Sequence, residues 1–195
     1  MTYKRDVELV FDMAAFQPNR KNGSIDLWYI ADTRDTKPVP RTAIHDFFLE
    51  NIRDQIRSIP QSQTPVSKML SMVQVGWDKA RTVSRQTSDV NIAFPTVVSR
   101  RSDSAIAITS SLLLVPLETR VEAVLNLHSH GGAEGLDIEI APEAKVIYGE
   151  HFNVGKVGEF LATRIGKAVA LAEAEEWGDV MTELHQRLIA RGRKQ

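Results

Sequence analysis

Residues 95 to 149 constrain the fold of this chain more than any other stretch. Four β-type segments follow one another there: "TVVSRRS" (96–102), "SAIAITSSLLLVP" (104–116), "TRVEAVLNLHSH" (119–130) and "GLDIEIAPEAKVIYG" (135–149). Short polar turns separate them, which predicts an antiparallel meander. The unbroken apolar run "LLLV" predicts that its strand is central and covered on both faces.

Helical periodicity flanks the meander. Before it, Thr64 and Pro65 read as an N-cap and a first helical residue, and Val66, Met69, Leu70, Val73, Trp77 and Ala80 continue an apolar stripe to about Asp89. After it, Asn153 reads as an N-cap for a helix carrying Val154, Val157, Phe160, Leu161 and Ile165, with Gly166 at the C′ position. A last helix carries Trp177, Val180, Met181, Leu184 and Leu188. The second part of the chain is therefore αββββαα.

The first part differs. "DVELVF" alternates, with Val7, Leu9 and Phe11 on one face and Asp6, Glu8 and Val10 on the other. The polar stretch 18–24, closed by Asn22-Gly23, predicts a turn, and "SIDLWYIAD" (24–32) a returning strand. Pro38 and Pro40 interrupt the chain, and a helix follows from about Thr42 to Ile59, ended by Pro60. Its apolar face is Ile44, Phe47, Phe48, Ile52, Ile56 and Ile59. The expected fold class is α+β, with antiparallel strands packed on helices in two related modules, residues 1–62 and 63–195. The second opens with the long connecting helix, and the first lacks an N-terminal helix. The abrupt start at "YKRDVELVF" further suggests a piece cut from a longer protein.

Chemistry is limited by what the chain contains. It has no cysteine, which removes disulfides, thiolate metal sites and cysteine nucleophiles. A net charge of −1 supplies no global field for nucleic acid or an anionic membrane. No window approaches the apolar length of a membrane span.

The most suggestive short motif is "NLHSHGG" (126–132). In a strand, His128 and His130 share a face and could reach one ion, the first half of a metal-dependent hydrolase site. The further ligands are missing from the pattern, since only His151 and His185 follow and residue 138 is Ile where the metalloprotease pattern needs Ser. The plainer reading makes Val121, Ala123, Leu125 and Leu127 the buried face of a strand, and Arg120, Glu122, Asn126, His128 and His130 its polar face. "GGAEG" (131–135) would then supply glycines tolerant of positive φ for the turn. Ser110-Ser111 lacks a nucleophile elbow, and "NVGKVGEF" lacks the P-loop order. No catalytic, cofactor-binding or metal-ligating residue is assigned.

Four longer phrases carry a resemblance: "RDVELVFDMAAF" (5–16), "IDLWYIAD" (25–32), "SSLLLVPLETRVE" (110–122) and "KVIYGEHFNVGKVGEFLATRIG" (145–166). Together, and in this order, they resemble the C-terminal region of the fungal Knl-type outer-kinetochore scaffold, the Spc/kinetochore-null family. That resemblance implies a tandem of RWD domains and a non-catalytic scaffold of the nuclear kinetochore and centromere, acting in chromosome segregation. It also implies a partner, the MIND (Mis-type) complex, through an extended C-terminal tail of one of its subunits, along with other kinetochore proteins. The YPxxxP turn of RWD domains is absent, so an adaptor role in protein modification does not carry over with the fold and stands only as an alternative. No docking residue transfers by motif. On physical grounds the candidates are Val97, Val98, Arg100 and Arg101 on a possible edge strand, and Trp28 and Tyr29 as an aromatic anchor.

Overall fold

A computed structural model describes residues 2–3, 7–10, 26–29, 42–60, 63, 65–132, 135–149, 153–165 and 176–192. The elements run β1 (Thr2–Tyr3), β2 (Val7–Val10), β3 (Asp26–Tyr29), α1 (Ala43–Ser58), α2 (Val66–Ala93), β4 (Thr96–Ser102), β5 (Ala105–Leu114), β6 (Thr119–Gly132), β7 (Gly135–Tyr148), α3 (Val154–Arg164) and α4 (Trp177–Gly192). They form two compact units: residues 1–81 with 129–137, and residues 82–128 with 138–195.

In the first unit β1, β2 and β3 make an antiparallel sheet in that order, with Val7 opposite Tyr29 and Leu9 opposite Leu27. Val7 and Leu9 are buried while Val10 is exposed, as the period of two requires. The turn expected at 18–24 lies outside the described residues. Helix α1 packs against β3. Thr42 caps it: its hydroxyl accepts from the His45 N–H, and the His45 ring accepts from the Thr42 N–H, a capping box with histidine in the usual Glu position. That histidine is buried and lies against Trp77 of α2, ring centres 5.1 Å apart. The α1 stripe of Ile44, Phe47, Phe48, Ile52 and Ile56 meets Met69, Met72, Val73, Trp77 and Ala80 of α2 in this unit's core. Gly76 lets the two helices approach, because a β-carbon there would stand 2.6 Å from Ile52 Cδ1.

The β6–β7 tip belongs to the same unit. Ser129 donates its hydroxyl to Asn51 Oδ1 on α1, and Asn51 in turn donates to the Phe47 carbonyl at 2.8 Å. The Lys79 ammonium on α2 donates to the Leu136 carbonyl at 2.9 Å.

The second unit is built on the predicted meander, with strand order β4-β5-β6-β7. Ile106, Ile108, Leu112 and Leu114 of β5 lie opposite Leu127, Leu125, Val121 and Thr119 of β6, and all are buried. One expectation for β5 fails. The strand is central and Ala105 to Ile108 are buried on both faces, but its "LLLV" end is not covered on both, since Leu113 is 52% exposed and Val115 beyond it 69%. Alternation explains this: Leu112 and Leu114 take the core face, leaving Leu113 beside Arg120 on the polar one.

Helix α2 continues past Asp89 to Ala93 because its stripe continues, through Val83, Gln86, Thr87 and Val90 to Phe94. Pro65 precedes its first assigned residue and accepts the first helical bonds from Lys68 and Met69; the Thr64 cap lies outside the described residues. Asn153 caps α3 by accepting from the Lys156 N–H at 3.1 Å, while Gly166 lies outside the described residues. Helix α4 buries Trp177, Val180, Met181, Leu184 and Leu188, the stripe expected of it. It packs against α3 and β5. Among the described residues the glycine with positive φ is Gly149 (95°), after β7; Gly131 in the predicted "GGAEG" turn sits within β6.

Candidate docking surfaces

Strand β4 is an edge of the four-stranded sheet. Its ladder to β5 pairs Thr96 with Ser110, Val97 with Thr109, Val98 with Ile108 and Ser99 with Ala107. The ladder's first hydrogen bond runs from the Ser111 N–H to the Pro95 carbonyl at 2.9 Å. In an antiparallel pair, bonded and non-bonded positions alternate. Val97 and Ser99 are therefore tied to β5, while the N–H and C=O of Thr96 and Val98 point away from it. The Thr96 N–H fits this, donating outward to Asn91 Oδ1 at 2.8 Å. Val98 turns its side chain inward beside Ile108, and Val97, 65% exposed, turns out.

The register shifts between Arg100 and Ser102, which makes Arg101 the extra residue of a bulge. Arg100 Nε donates to the Ser102 carbonyl at 3.2 Å, and Nη2 pairs with Asp103 at 3.2 Å. Arg100 thus braces the β4–β5 turn, while Arg101 is exposed at the bulge. The four β4 candidates lie on one edge. Trp28 and Tyr29 fall on β3, the edge of the other sheet, with their backbones opposite Glu8 and Val7.

Among the described residues the two histidines of "NLHSHGG" are not part of a group of three metal-ligating side chains. Ser129 between them turns to Asn51, so alternation sets His128 and His130 on the other side of β6. Among the described residues no three His, Asp or Glu are grouped as a metal site requires. His151 lies outside the described residues. His185 is occupied structurally: Nε2 donates to the Leu113 carbonyl at 3.0 Å, and its ring lies against Phe94.

A cleft of about 720 Å³ between α3 and α4 was not singled out from the sequence. Val157, Phe160, Leu184 and Leu188 line it, and Lys156, Arg164, Arg187 and Arg191 rim it together with one carboxylate, Glu159. Phe160 lies under two guanidinium groups, with Arg187 Cζ 4.9 Å and Arg164 Cζ 5.7 Å from the ring centre. The signal in the sequence was a basic residue one turn after an apolar one on each helix, Phe160 to Arg164 and Leu184 to Arg187, which reads equally as a solvated face.

Residues 1–84 match the family model of the Knl1 RWD C-terminal domain. The match supports a Knl1-type RWD region in that stretch, which holds β1 to β3, α1 and α2 as far as Ser84. The four-stranded sheet, α3 and α4 lie beyond the matched residues. No curated protein matches the chain, and no solved structure does.

Proposed function

We propose that this chain is a non-catalytic segment of a fungal Knl-type kinetochore scaffold, acting in the nucleus at the centromere to couple other kinetochore proteins. In this reading residues 1–62 and 63–195 are tandem RWD-like modules, and their partner is the MIND complex, reached through the extended C-terminal tail of one subunit. The observation that carries the scaffold reading is the Knl1 RWD match over residues 1–84. The resemblance of the four phrases extends the same reading along the remaining residues.

The docking mode rests on β4. An extended tail can add to a sheet edge through main-chain hydrogen bonds, with alternate side chains giving selectivity. Val98 offers outward backbone groups for such addition, the exposed Val97 side chain an apolar contact, and Arg101 a cation at the bulge. Trp28 and Tyr29 on the β3 edge are the second candidate contact. No cofactor, membrane or nucleic acid takes part.

Size-exclusion chromatography of this chain mixed with reconstituted MIND complex tests the reading, with co-elution the expected result. Separate elution of the two at micromolar concentration would remove MIND as the partner. Reversing the charge of Arg100 and Arg101 together should weaken the interaction in a pull-down, and unchanged binding would take this edge off the list.

A further inference from the structure

Among the described residues, the cleft between α3 and α4 carries more positive than negative charge. The two helices run antiparallel, since Arg164 meets Glu183 and, one turn along, Phe160 meets Arg187. The next turn sets Lys156 opposite Arg191, and both line the cleft. Glu183 bridges the first pair of cations, contacting Arg164 at 3.0 Å and Arg187 as well. The Lys156–Arg191 step has no such bridge: among the described residues neither side chain has an ion-pair partner. Two cations facing each other across a gap repel, and a carboxylate placed between them relieves this.

Between that step and the Glu183 step lies the face of Phe160, with Val157, Leu184 and Leu188 beside it. The rim thus carries four cations, Lys156, Arg164, Arg187 and Arg191, against two carboxylates, Glu159 and the bridging Glu183, so an excess of positive charge is left at the Lys156–Arg191 end. One helical turn away, about 5.4 Å, the cleft offers an aromatic and aliphatic seat. A mobile phosphate or lipid headgroup would satisfy the charge and leave the apolar seat uncovered. A peptide satisfies both.

We propose that the α3–α4 cleft docks an acidic amphipathic segment of a partner protein, which sets an Asp or Glu between Lys156 and Arg191 and a large apolar side chain against Phe160. This surface is separate from the β4 edge and does not depend on the kinetochore reading. Hydrophobic contact anchors the segment, and the paired cations select its charge and register.

The test is fluorescence anisotropy with the full 195-residue chain. The probe is a labelled peptide of about twelve residues with leucines and glutamates at helical spacing, compared with the same peptide carrying lysine for glutamate. The acidic peptide should bind and the basic one should not, with affinity falling as salt rises. The double variant Lys156→Glu, Arg191→Glu should lower affinity at least about tenfold, as expected for losing a charge-assisted contact. Both positions are exposed, so the fold should survive, checked by an unchanged far-ultraviolet circular dichroism spectrum. Phe160→Ala should weaken binding independently, whereas the charge-reversed Arg100 and Arg101 variant should bind as the parent does. Equal binding of both peptides, or no effect of the double variant, would overturn the proposal. So would preferential binding of a single-stranded oligonucleotide or of anionic phosphatidylserine vesicles over the acidic peptide.

Discussion

The side-chain carbonyl of Gln86 on α2 accepts a hydrogen bond from the backbone N–H of Trp177, 2.8 Å away, at the first residue of α4. Both residues are buried. The first N–H groups of a helix have no partner within it, and water cannot reach this one, so Gln86 acts as a cap supplied from 91 residues away. Gln86→Ala should therefore cost about 1–3 kcal/mol, the penalty for stranding a buried donor. The neighbouring pair Arg85–Glu176 spans the same two elements at 3.2 Å but is about half exposed. Its removal by Arg85→Ala should cost less than about 1 kcal/mol. Urea unfolding of both variants checks the order, and a larger effect for Arg85 would sink the argument.

Gly76 makes the opposite kind of prediction, since ordinary helix propensity favours replacing it. Alanine is better than glycine in a helix interior by about 1 kcal/mol. Here its methyl would stand 2.6–2.7 Å from Cδ1 and Cγ1 of the buried Ile52, so one helix must move. Overpacking of this kind costs about 1–3 kcal/mol, and Gly76→Ala should be destabilising on balance. Adding Ile52→Val removes Cδ1 and should restore part of the loss. A double-mutant cycle with strictly additive effects would show that the two residues do not press on each other.

Two positions in the left-handed region should respond with opposite signs. Gly149 has φ 95°, and a β-carbon there would also strike the Glu118 carbonyl and Thr119. Glu118 itself has φ 45° at the end of the Val115–Leu117 3₁₀ turn, where a side chain is disfavoured. Gly149→Ala should lower the thermal midpoint clearly, whereas Glu118→Gly should be neutral or raise it, relieving up to about 1 kcal/mol of strain. A fall for both variants of similar size would show that the backbone angles are not what limits these turns.

What was readable in the sequence was whatever depends on neighbours in the chain. The α4 stripe from Trp177 to Leu188, the alternating faces of β6 and the Asn153 cap all follow from period and local chemistry, and all are present. The features that were not readable depend on partners far along the chain. The contact of Ser129 with Asn51 joins residues 78 apart and draws the hairpin tip into the first unit. The α3–α4 cleft depends on the register of two helices, so its rim could be named only once Arg164 and Glu183 were seen together. The exposure of Leu113 was hidden because three consecutive leucines mask the period of two. The edge at β4 was legible as a possibility from its position first in the meander. Which of its N–H groups face outward needed the Ser111–Pro95 bond.

That alternation gives the sharpest test of β4 as a docking edge. Proline lacks an N–H, so it is tolerated on an edge strand where the N–H faces outward and damaging where the N–H holds the ladder. Ser99 is tied to β5 opposite Ala107, and Val98 is turned away from it. Ser99→Pro should break a ladder bond and strand its acceptor, at about 1–3 kcal/mol on top of any steric cost of the ring. Val98→Pro should cost about 1 kcal/mol, mainly from lost contact beside Ile108. Yet the Val98 variant removes the donor an added strand would use, so a folded Val98→Pro protein should lose co-elution with the MIND complex. Hydrogen exchange read by mass spectrometry would confirm that β5 keeps its protection in that variant. If the variant stays folded and still binds as the parent does, strand addition at β4 is not how the tail docks.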